Sequence, residues 1–250
     1  MTQALLFFGG LAELFSLILR NLKGKIETRL IAEQIFQIGH RSLPLVIITA
    51  ASTGMVMALQ YGLGLERFGG TIYVPRLVTV TILREMGPVF TALMLAARVG
   101  AGMASEIGSM TVTQQIDAIR ALGTSPIKKI VLPRVVACLI SLPLLVGIAN
   151  LVAFFGGLVI GVTELKLDAQ FYVLKAITNL SMMDYFAGFG KSFFFALFIA
   201  VPACYYGLNV KDGTKGVGVA TTKAVVTSSI LILIGDFFLT KLFWVIEKWT

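Results

Sequence analysis

Long apolar stretches alternate with short polar segments along the chain, and they predict five membrane-spanning helices. Residues 42–65, 135–163 and 192–210 carry no charged side chain, and two further stretches, 81–105 and 222–246, contain a few charges. Each stretch approaches or exceeds the roughly 20 residues with which a helix crosses a hydrocarbon core of about 30 Å. Lipid offers the backbone no hydrogen-bond partners, so helices are expected for all five.

The N-terminal segment predicts a different kind of element. Residues 4–19 are apolar, but Glu13, Ser16, Arg20 and Lys23 recur at helical spacing. This pattern favours an amphipathic helix lying in the membrane interface, with a sixth span as the alternative. A cleavable signal peptide is not expected, because the positive charges follow the apolar stretch instead of preceding it.

The composition agrees with a membrane location for the whole chain. Of all residues 57% are hydrophobic and 14% are charged, whereas a soluble domain has about 25% charged residues. No polar linker divides the sequence. We therefore expect an all-α integral membrane protein with a single domain over residues 1–250, comprising an interfacial and cytoplasmic lead-in over 1–40 and a transmembrane bundle over 41–250.

Basic residues are distributed unevenly between the two sides of the predicted bundle. Thirteen of the 21 Lys and Arg residues lie in the N-terminal segment or near the predicted loops after spans two and four. Since cytoplasmic loops carry an excess of Lys and Arg, the N-terminus is expected in the cytoplasm. This bias also accounts for the net charge of +8, and nucleic acid is not an expected partner because the basic residues are spread over separate loops.

Several kinds of chemistry are not expected of this chain. The sequence has no G-x-x-x-x-G-K-[ST] motif, with which a P-loop would hold nucleotide phosphates. His40 is the single histidine, and Cys138 and Cys204 both lie in apolar stretches without a C-x-x-C spacing. We therefore expect no catalytic residue, no metal site and no cofactor bound by the chain itself.

The polar segment between spans two and three predicts a short amphipathic helix. Thr111 and Gln114 have the spacing of a capping box, with Thr111 as the N-cap residue. Gly123 fits the position just after the end of this helix. Ser125 and Pro126 fit the start of the next one. A short helix with defined ends between two spans is typical of a coupling helix that docks into a cytoplasmic partner, and a helix resting on lipid is the alternative. The residues expected to couple are Glu106, Gln115, Ile116, Asp117, Ile119, Arg120 and Leu122.

Four ionisable residues fall within or beside the predicted spans. Arg84, Glu85, Lys191 and Asp236 have formal charges that sum to zero, and the predicted topology places them at similar depth. Because a charge within the membrane is costly without a partner, we expect these residues to form a paired cluster. The cluster either only holds spans two, four and five together or takes part in transport, through coupling or headgroup contact.

Several distinctive blocks of sequence occur in order along the chain. They are residues 83–89 (LREMGPV), 97–110 (ARVGAGMASEIGSM), 115–118 (QIDA), 122–123 (LG) with Pro126, 133–135 (PRV), 216–222 (GVGVATT), 224–226 (AVV) and 236–238 (DFF). These blocks, at compatible spacing, closely resemble the signature of the MlaE/YrbE permease family, and the resemblance extends from about residue 30 to the end of the chain.

This resemblance implies the permease subunit of an ABC transporter. Members of the family form a homodimer in the inner membrane and carry glycerophospholipids between the inner and outer membranes. A separate cytoplasmic P-loop ATPase binds ATP and Mg²⁺, and many members work with an MCE-type lipid-binding protein in the periplasm. On this basis we expect a multi-pass inner-membrane subunit without enzymatic activity of its own.

The resemblance also implies a lipid pocket beside the first span. Met57, Tyr61, Leu65 and Phe68 lie on one face of this helix and its extension, and in the family this helix borders the cavity. Ordinary helix packing is the alternative explanation of the pattern.

Two other functions stay open from the sequence. An ion-coupled secondary transporter would use Glu85 and Asp236 as proton sites and would need no ATPase. A non-transporting membrane scaffold would leave the ATP hydrolysis of a partner unchanged. The direction of transport and the headgroup preference do not follow from the sequence.

Overall fold

The computed structural model describes residues 2–21, 28–178, 180–211 and 213–249, and every regular element within these ranges is helical. We number nine helices in chain order, treating a helix with a π-helical or 3₁₀ turn as one element. They are α1 (Thr2–Asn21), α2 (Thr28–Ile38), α3 (Leu43–Glu66), α4 (Thr71–Val112), α5 (Gln115–Ala121), α6 (Ile127–Thr163), α7 (Ala169–Thr178), α8 (Met182–Leu208) and α9 (Gly213–Trp249).

The described residues contain five helices that are long and apolar enough to cross a membrane, so the predicted number of spans is confirmed. The first joins α2 and α3 through the 3₁₀ turn His40–Ser42, and the others are α4, α6, α8 and α9. The helices extend beyond the predicted apolar stretches: α4 begins at Thr71 instead of residue 81, and α9 begins at Gly213 instead of residue 222. Polar side chains end the apolar stretch, but they do not end a helix whose backbone is already hydrogen-bonded.

The N-terminal segment is helical in α1, which is not among the five candidate spans. On one face of this helix Leu14 and Ile18 are buried, whereas Phe15 and Leu19 are exposed. A Cβ atom added at Gly10 would lie 2.6 Å from the ring of Tyr205, so α1 packs closely on α8 at this point. Its position in the membrane interface stays a prediction.

The residues divide into two compact units. The first unit comprises Met1–Ser42, Leu95–Leu142 and Phe194–Gly235, and the second comprises Leu43–Met94, Pro143–Phe193 and Asp236–Thr250. The predicted coupling segment belongs to the first unit. The four predicted intramembrane charges and the predicted lipid-pocket residues belong to the second.

Glycines allow helices of the second unit to pack at backbone distance. A Cβ atom at Gly156 would lie 2.5 Å from the backbone oxygen of Ala51, so α6 and α3 touch directly. On the same helix, Gly157 and Gly161 leave room for the ring of Tyr172 from α7. Tyr172 is fully buried and its hydroxyl has no hydrogen-bond partner in the described part of the chain. Burial raises the pKa of Tyr172 to about 12.

Candidate functional site

A buried lysine is the centre of the polar network in the second unit. The Lys191 side chain is 1% exposed. Its Nζ atom donates to Glu85 Oε2 at 2.6 Å, to Asp236 Oδ1 at 2.9 Å and to Thr240 Oγ1 at 2.7 Å. The backbone oxygen of Arg84 lies 3.1 Å from the same atom. The ammonium group has three N–H donors, so all of them have acceptors and the buried charge is fully partnered.

Three helices position this network. Glu85 lies in the π-helical turn Ile82–Met86 of α4, Lys191 lies in α8, and Asp236 and Thr240 are one turn apart on α9. A Cβ atom at Gly188, one turn before Lys191, would collide with the backbone oxygen of Leu83. The α8 and α4 backbones therefore touch beside the lysine, which explains how its Nζ atom reaches a backbone carbonyl of α4.

The guanidinium group of Arg84 points to a second set of partners. Its Nε atom donates to Asp184 Oδ1, and its Nη2 atom donates to Glu247 Oε1 at 2.9 Å and Oε2 at 3.0 Å. The Asp184 side chain is 7% exposed and the Glu247 side chain is 39% exposed. The structure thus brings Glu85, Lys191 and Asp236 into direct contact, whereas Arg84 contributes its backbone to that group and its side chain to another.

Asp184 and Glu247 are functional candidates that the sequence analysis missed. The Ser181 backbone N–H donates to Asp184 Oδ2 at 2.9 Å, and the Asp184 N–H donates to Ser181 Oγ at 3.2 Å. This reciprocal pair is a capping box at the start of α8. The Ser-x-x-Asp spacing before an apolar stretch is typical of a helix start, and this spacing could have identified Asp184 from the sequence. Glu247 lies near the end of α9, and a single charged residue at a helix end has no sequence signal that distinguishes it.

The two groups together carry more negative than positive formal charge. Lys191 faces Glu85 and Asp236, and Arg84 faces Asp184 and Glu247, so each cation has two carboxylate partners. The four residues predicted to balance one another are therefore part of a larger network. A strong pairing of this kind resists separation of α4, α8 and α9, since a carboxylate or a cation would be left without a partner.

A cavity of about 570 Å³ opens beside Arg84. Its lining combines aliphatic side chains with charged ones from the second unit. The lining residues are Leu65, Tyr73, Arg76, Leu77, Val80, Arg84, Ser181, Asp184 and Glu247. The cavity can therefore contact both an apolar chain and an ionic group of one ligand.

One of the four predicted lipid-pocket residues lines this cavity. Leu65 does so from the end of α3. Met57 and Tyr61 are half-buried, and the Tyr61 hydroxyl lies 3.1 Å from Thr81 Oγ1. Phe68 is 83% exposed and follows the end of α3. The structure does not gather these four side chains around one cavity.

The predicted start of the coupling helix is wrong. Thr111 lies inside α4, which continues to Val112, and its hydroxyl donates to the Ile107 backbone oxygen at 2.9 Å. Gln114 adopts a left-handed conformation with φ of 59° and precedes α5. A threonine hydroxyl can be satisfied by the carbonyl one turn earlier within a helix, so the capping spacing did not identify a helix start here.

The predicted end of the coupling helix is confirmed. Gly123 has a φ of 70°, its N–H donates to the Arg120 oxygen at 2.9 Å, and the Thr124 N–H donates to the Ile119 oxygen at 3.2 Å. These two bonds form a Schellman motif, in which glycine is favoured because it alone adopts positive φ without strain. The following helix, α6, begins at Ile127 with Pro126 as its N-cap residue, one residue later than the Ser-Pro pair predicted.

The predicted coupling residues differ in exposure. Ile116 is 3% exposed and Ile119 is half-buried, whereas Leu122 is 81% exposed at the end of α5. Gln115 is exposed, and Asp117 and Arg120 form an exposed ion pair at 3.3 Å. Glu106 accepts a hydrogen bond from Arg134 Nη2 at 2.9 Å. The surface available to a partner thus comprises Leu122 and the polar side of α5.

Comparisons with known proteins identify the family of this chain. The family described as Permease MlaE matches residues 31–242. A probable ABC transporter permease protein of Rickettsia conorii is 42% identical, with 86% of this chain and 83% of the relative aligned. One of Synechocystis is 40% identical over 90% of this chain and 85% of its own length. One of Porphyra purpurea is 34% identical over 85% of this chain and 81% of its own length. This multi-pass membrane chain therefore belongs to the MlaE permease family of ABC transporter permeases.

Proposed function

We propose that this chain is the inner-membrane permease subunit of an ABC transporter that moves glycerophospholipids between the inner and outer membranes. The observation that supports the proposal is the cavity beside Arg84, which is lined by both aliphatic and charged side chains. A glycerophospholipid has the same two parts, an ionic headgroup and apolar acyl chains. A bound glycerophospholipid would therefore contact both the aliphatic and the charged side chains of the lining.

The charged part of the cavity suits a phosphate group. Arg76 is exposed and makes no hydrogen bond to another residue of the described ranges, so its guanidinium donors are available. Arg84, by contrast, is occupied by Asp184 and Glu247. Guanidinium groups bind phosphate oxygens through parallel N–H donors. We assign Arg76 to the lipid phosphate and Leu65, Leu77 and Val80 to the acyl chains.

ATP hydrolysis would be supplied by a separate chain. The sequence has no P-loop motif, and similar proteins carry the name ABC transporter permease. In this proposal a cytoplasmic ATPase that holds ATP and Mg²⁺ contacts α5, where Leu122 offers an exposed apolar side chain. The functional assembly would be a homodimer with a cytoplasmic N-terminus and an MCE-type lipid-binding protein on the periplasmic side.

The proposal is tested by photocrosslinking in a membrane that contains the assembled transporter. A photoreactive amino acid at Leu77 lines the cavity, and one at Leu174 serves as the control because this residue is 64% exposed on α7 outside the cavity. Mass spectrometry identifies the captured phospholipid with and without vanadate, which arrests the ATPase. We expect capture at Leu77 to change with vanadate and capture at Leu174 to stay constant. Absence of phospholipid at Leu77 in both states would refute the assignment of the cavity.

A further inference from the structure

The first unit contains a second cavity, which shares no residue with the one beside Arg84. Its volume is about 190 Å³. Gln34, Gln37 and Arg41 line one side, and Arg98, Gly102 and Glu106 of α4 line the other. Neither the family match nor the names of the relatives assign a role to it.

The lining of this cavity has an excess of positive charge. Arg41 and Arg98 both contribute guanidinium groups. Glu106 is the acidic residue of the lining, and its carboxylate is already paired with Arg134 Nη2 at 2.9 Å. The Arg134 side chain is 8% exposed and its Nη1 atom also donates to the Ile130 backbone oxygen, so its guanidinium group is fixed beside Glu106. The lining thus has two guanidinium groups, and the carboxylate of Glu106 is shared with a third, that of Arg134.

The two arginines also have unused hydrogen-bond donors. Among the described residues the Arg98 guanidinium donates to the hydroxyl of Ser42, at 2.5 Å from Nη1, and the Arg41 side chain has no such bond. A guanidinium group has five N–H donors. The buried Ser42 hydroxyl donates in turn to the Ile38 backbone oxygen, so Arg98 is held in place while most of its donors remain free.

Two glutamines and a glycine also line this cavity. Gln34 and Gln37 are three residues apart on α2, so their amide groups lie on the same face of the helix. Gly102 adds no side chain, and a Cβ atom built there meets no atom within 4 Å. Phosphate oxygens match guanidinium donors in pairs and accept from amide N–H groups.

We propose that this cavity binds the phosphate group of an anionic ligand and thereby links α2 to α4. The same chemistry is offered by the headgroup of an anionic phospholipid and by a free phosphate. The proposal does not rest on the function proposed above, because no residue of this cavity lines the cavity beside Arg84.

Binding to the purified full-length chain in detergent tests this proposal. The probes are dioctanoyl phosphatidylglycerol, dioctanoylglycerol with the same chains but no phosphate, and inorganic phosphate, each titrated by native mass spectrometry. We expect phosphatidylglycerol to bind and dioctanoylglycerol to bind at least about tenfold more weakly, as loss of a charge-assisted contact implies. Saturable binding of inorganic phosphate that displaces phosphatidylglycerol would identify a free phosphate as a ligand. Binding of phosphatidylglycerol without displacement by phosphate would identify the lipid headgroup, and equal binding of phosphatidylglycerol and dioctanoylglycerol would overturn the proposal.

Matched variants locate the binding. Arg41→Gln removes one guanidinium group that makes no hydrogen bond or ion pair within the described chain, so folding should be unaffected, and we expect about tenfold weaker binding. Arg29→Gln is the control, because Arg29 lies on α2, is exposed, and pairs with Glu33 outside the cavity. Arg41→Lys should restore part of the affinity. Equal binding by the wild type and Arg41→Gln, or equal weakening by Arg29→Gln, would overturn the proposal.

Discussion

Lys191 Nζ lies 2.6 Å from Glu85 Oε2, and this contact joins α8 to the π-helical turn of α4. The lysine side chain is 1% exposed, whereas the glutamate side chain is 29% exposed. The buried ammonium group is therefore stabilised by its hydrogen-bonded partners, while the glutamate side chain retains some access to the surroundings. Asp236 at 2.9 Å extends the contact to α9. Three helices of the second unit are thus held by one ammonium group.

Lys191→Met should destabilise the chain strongly. Methionine fills a similar volume but leaves Glu85 and Asp236 without their common cation, and breaking a buried pair in this way costs about 3–5 kcal/mol. Thermal unfolding of the purified chain in detergent measures the loss. Lys241→Met is the matched control, because Lys241 is exposed on α9 and makes no described contact. Equal unfolding temperatures for the two variants would contradict the assigned role of Lys191.

Removal of all three charged groups separates a structural role from a role in transport. A variant with Lys191→Met, Glu85→Gln and Asp236→Asn has no unpaired charge, so most of the lost stability should return. If lipid transport returns with stability, the network only holds the helices together. If stability returns without transport, the charges themselves take part in the cycle. An unstable triple variant would mean that packing, and not charge, explains the effect of Lys191→Met.

Asp184→Asn should cost more stability than Glu247→Gln. Both changes remove one carboxylate from Arg84, but the Asp184 side chain is 7% exposed and the Glu247 side chain is 39% exposed. A buried partner of a charged group contributes about 1.5–3 kcal/mol, whereas an exposed ion pair contributes about 0–1 kcal/mol. Asparagine still accepts the Ser181 N–H, so the start of α8 is preserved. Unfolding of the two variants in parallel measures the order, and the reverse order would be inconsistent with the observed burial.

The spans were predictable because a membrane imposes a length and an apolar composition on any helix that crosses it. Gly123 was predictable for a similar reason, since a left-handed residue after a helix requires glycine or a close substitute. The directions of Arg84 and Glu85 were not predictable. They depend on the π-helical turn Ile82–Met86, whose wider backbone spacing has no side-chain signature in the sequence.

The contacts of the candidate site were predictable only in part. Charge balance grouped Glu85, Lys191 and Asp236, which contact one another, but it also placed Arg84 with them, whose side chain pairs with Asp184 and Glu247. A formal charge contains no information on which carboxylate each cation faces. Asp184 and Glu247 lie near the ends of α8 and α9, where charged residues are common and carry no special meaning. The predicted N-cap at Thr111 failed because local spacing does not show whether a preceding helix continues.

Gly188→Ala should disturb the contact between α8 and α4. The added methyl group would collide with the backbone oxygen of Leu83, which cannot move without shifting α4. Overpacking of this kind costs about 1–3 kcal/mol. Gly190→Ala is the control on the same helix, because its Cβ atom would meet only the end of the Phe243 ring, at 2.7 Å, and a ring can turn aside. Unfolding temperatures in detergent measure both effects, and a larger loss for Gly190→Ala would contradict the proposed backbone contact.

Tyr172→Phe should leave stability near neutral pH unchanged or slightly higher, because the buried hydroxyl has no partner in the described chain. Burial raises the pKa of Tyr172 from 10.0 to about 12. A raised folded-state pKa means that the neutral form stabilises the fold below about pH 10, and that this contribution is lost as the pH rises toward 12. The variant should therefore lose less stability than the wild type between pH 10 and 12. Parallel unfolding curves across this interval test the difference, and identical pH profiles would contradict it.

Leu122→Ala should weaken the contact with the proposed ATPase without affecting the fold of the chain. The leucine is 81% exposed at the end of α5, so its truncation leaves no internal cavity. Full burial of a leucine side chain contributes about 1.5–3 kcal/mol, which corresponds to a loss of affinity of about tenfold or more. Ile116→Ala provides the contrast, because this residue is 3% exposed on the same helix and its truncation should cost the chain about 2–5 kcal/mol. Copurification and ATP hydrolysis of the complex, measured beside thermal unfolding of each variant, distinguish the two effects. If Leu122→Ala leaves both binding and hydrolysis at the wild-type level, α5 is not the docking element.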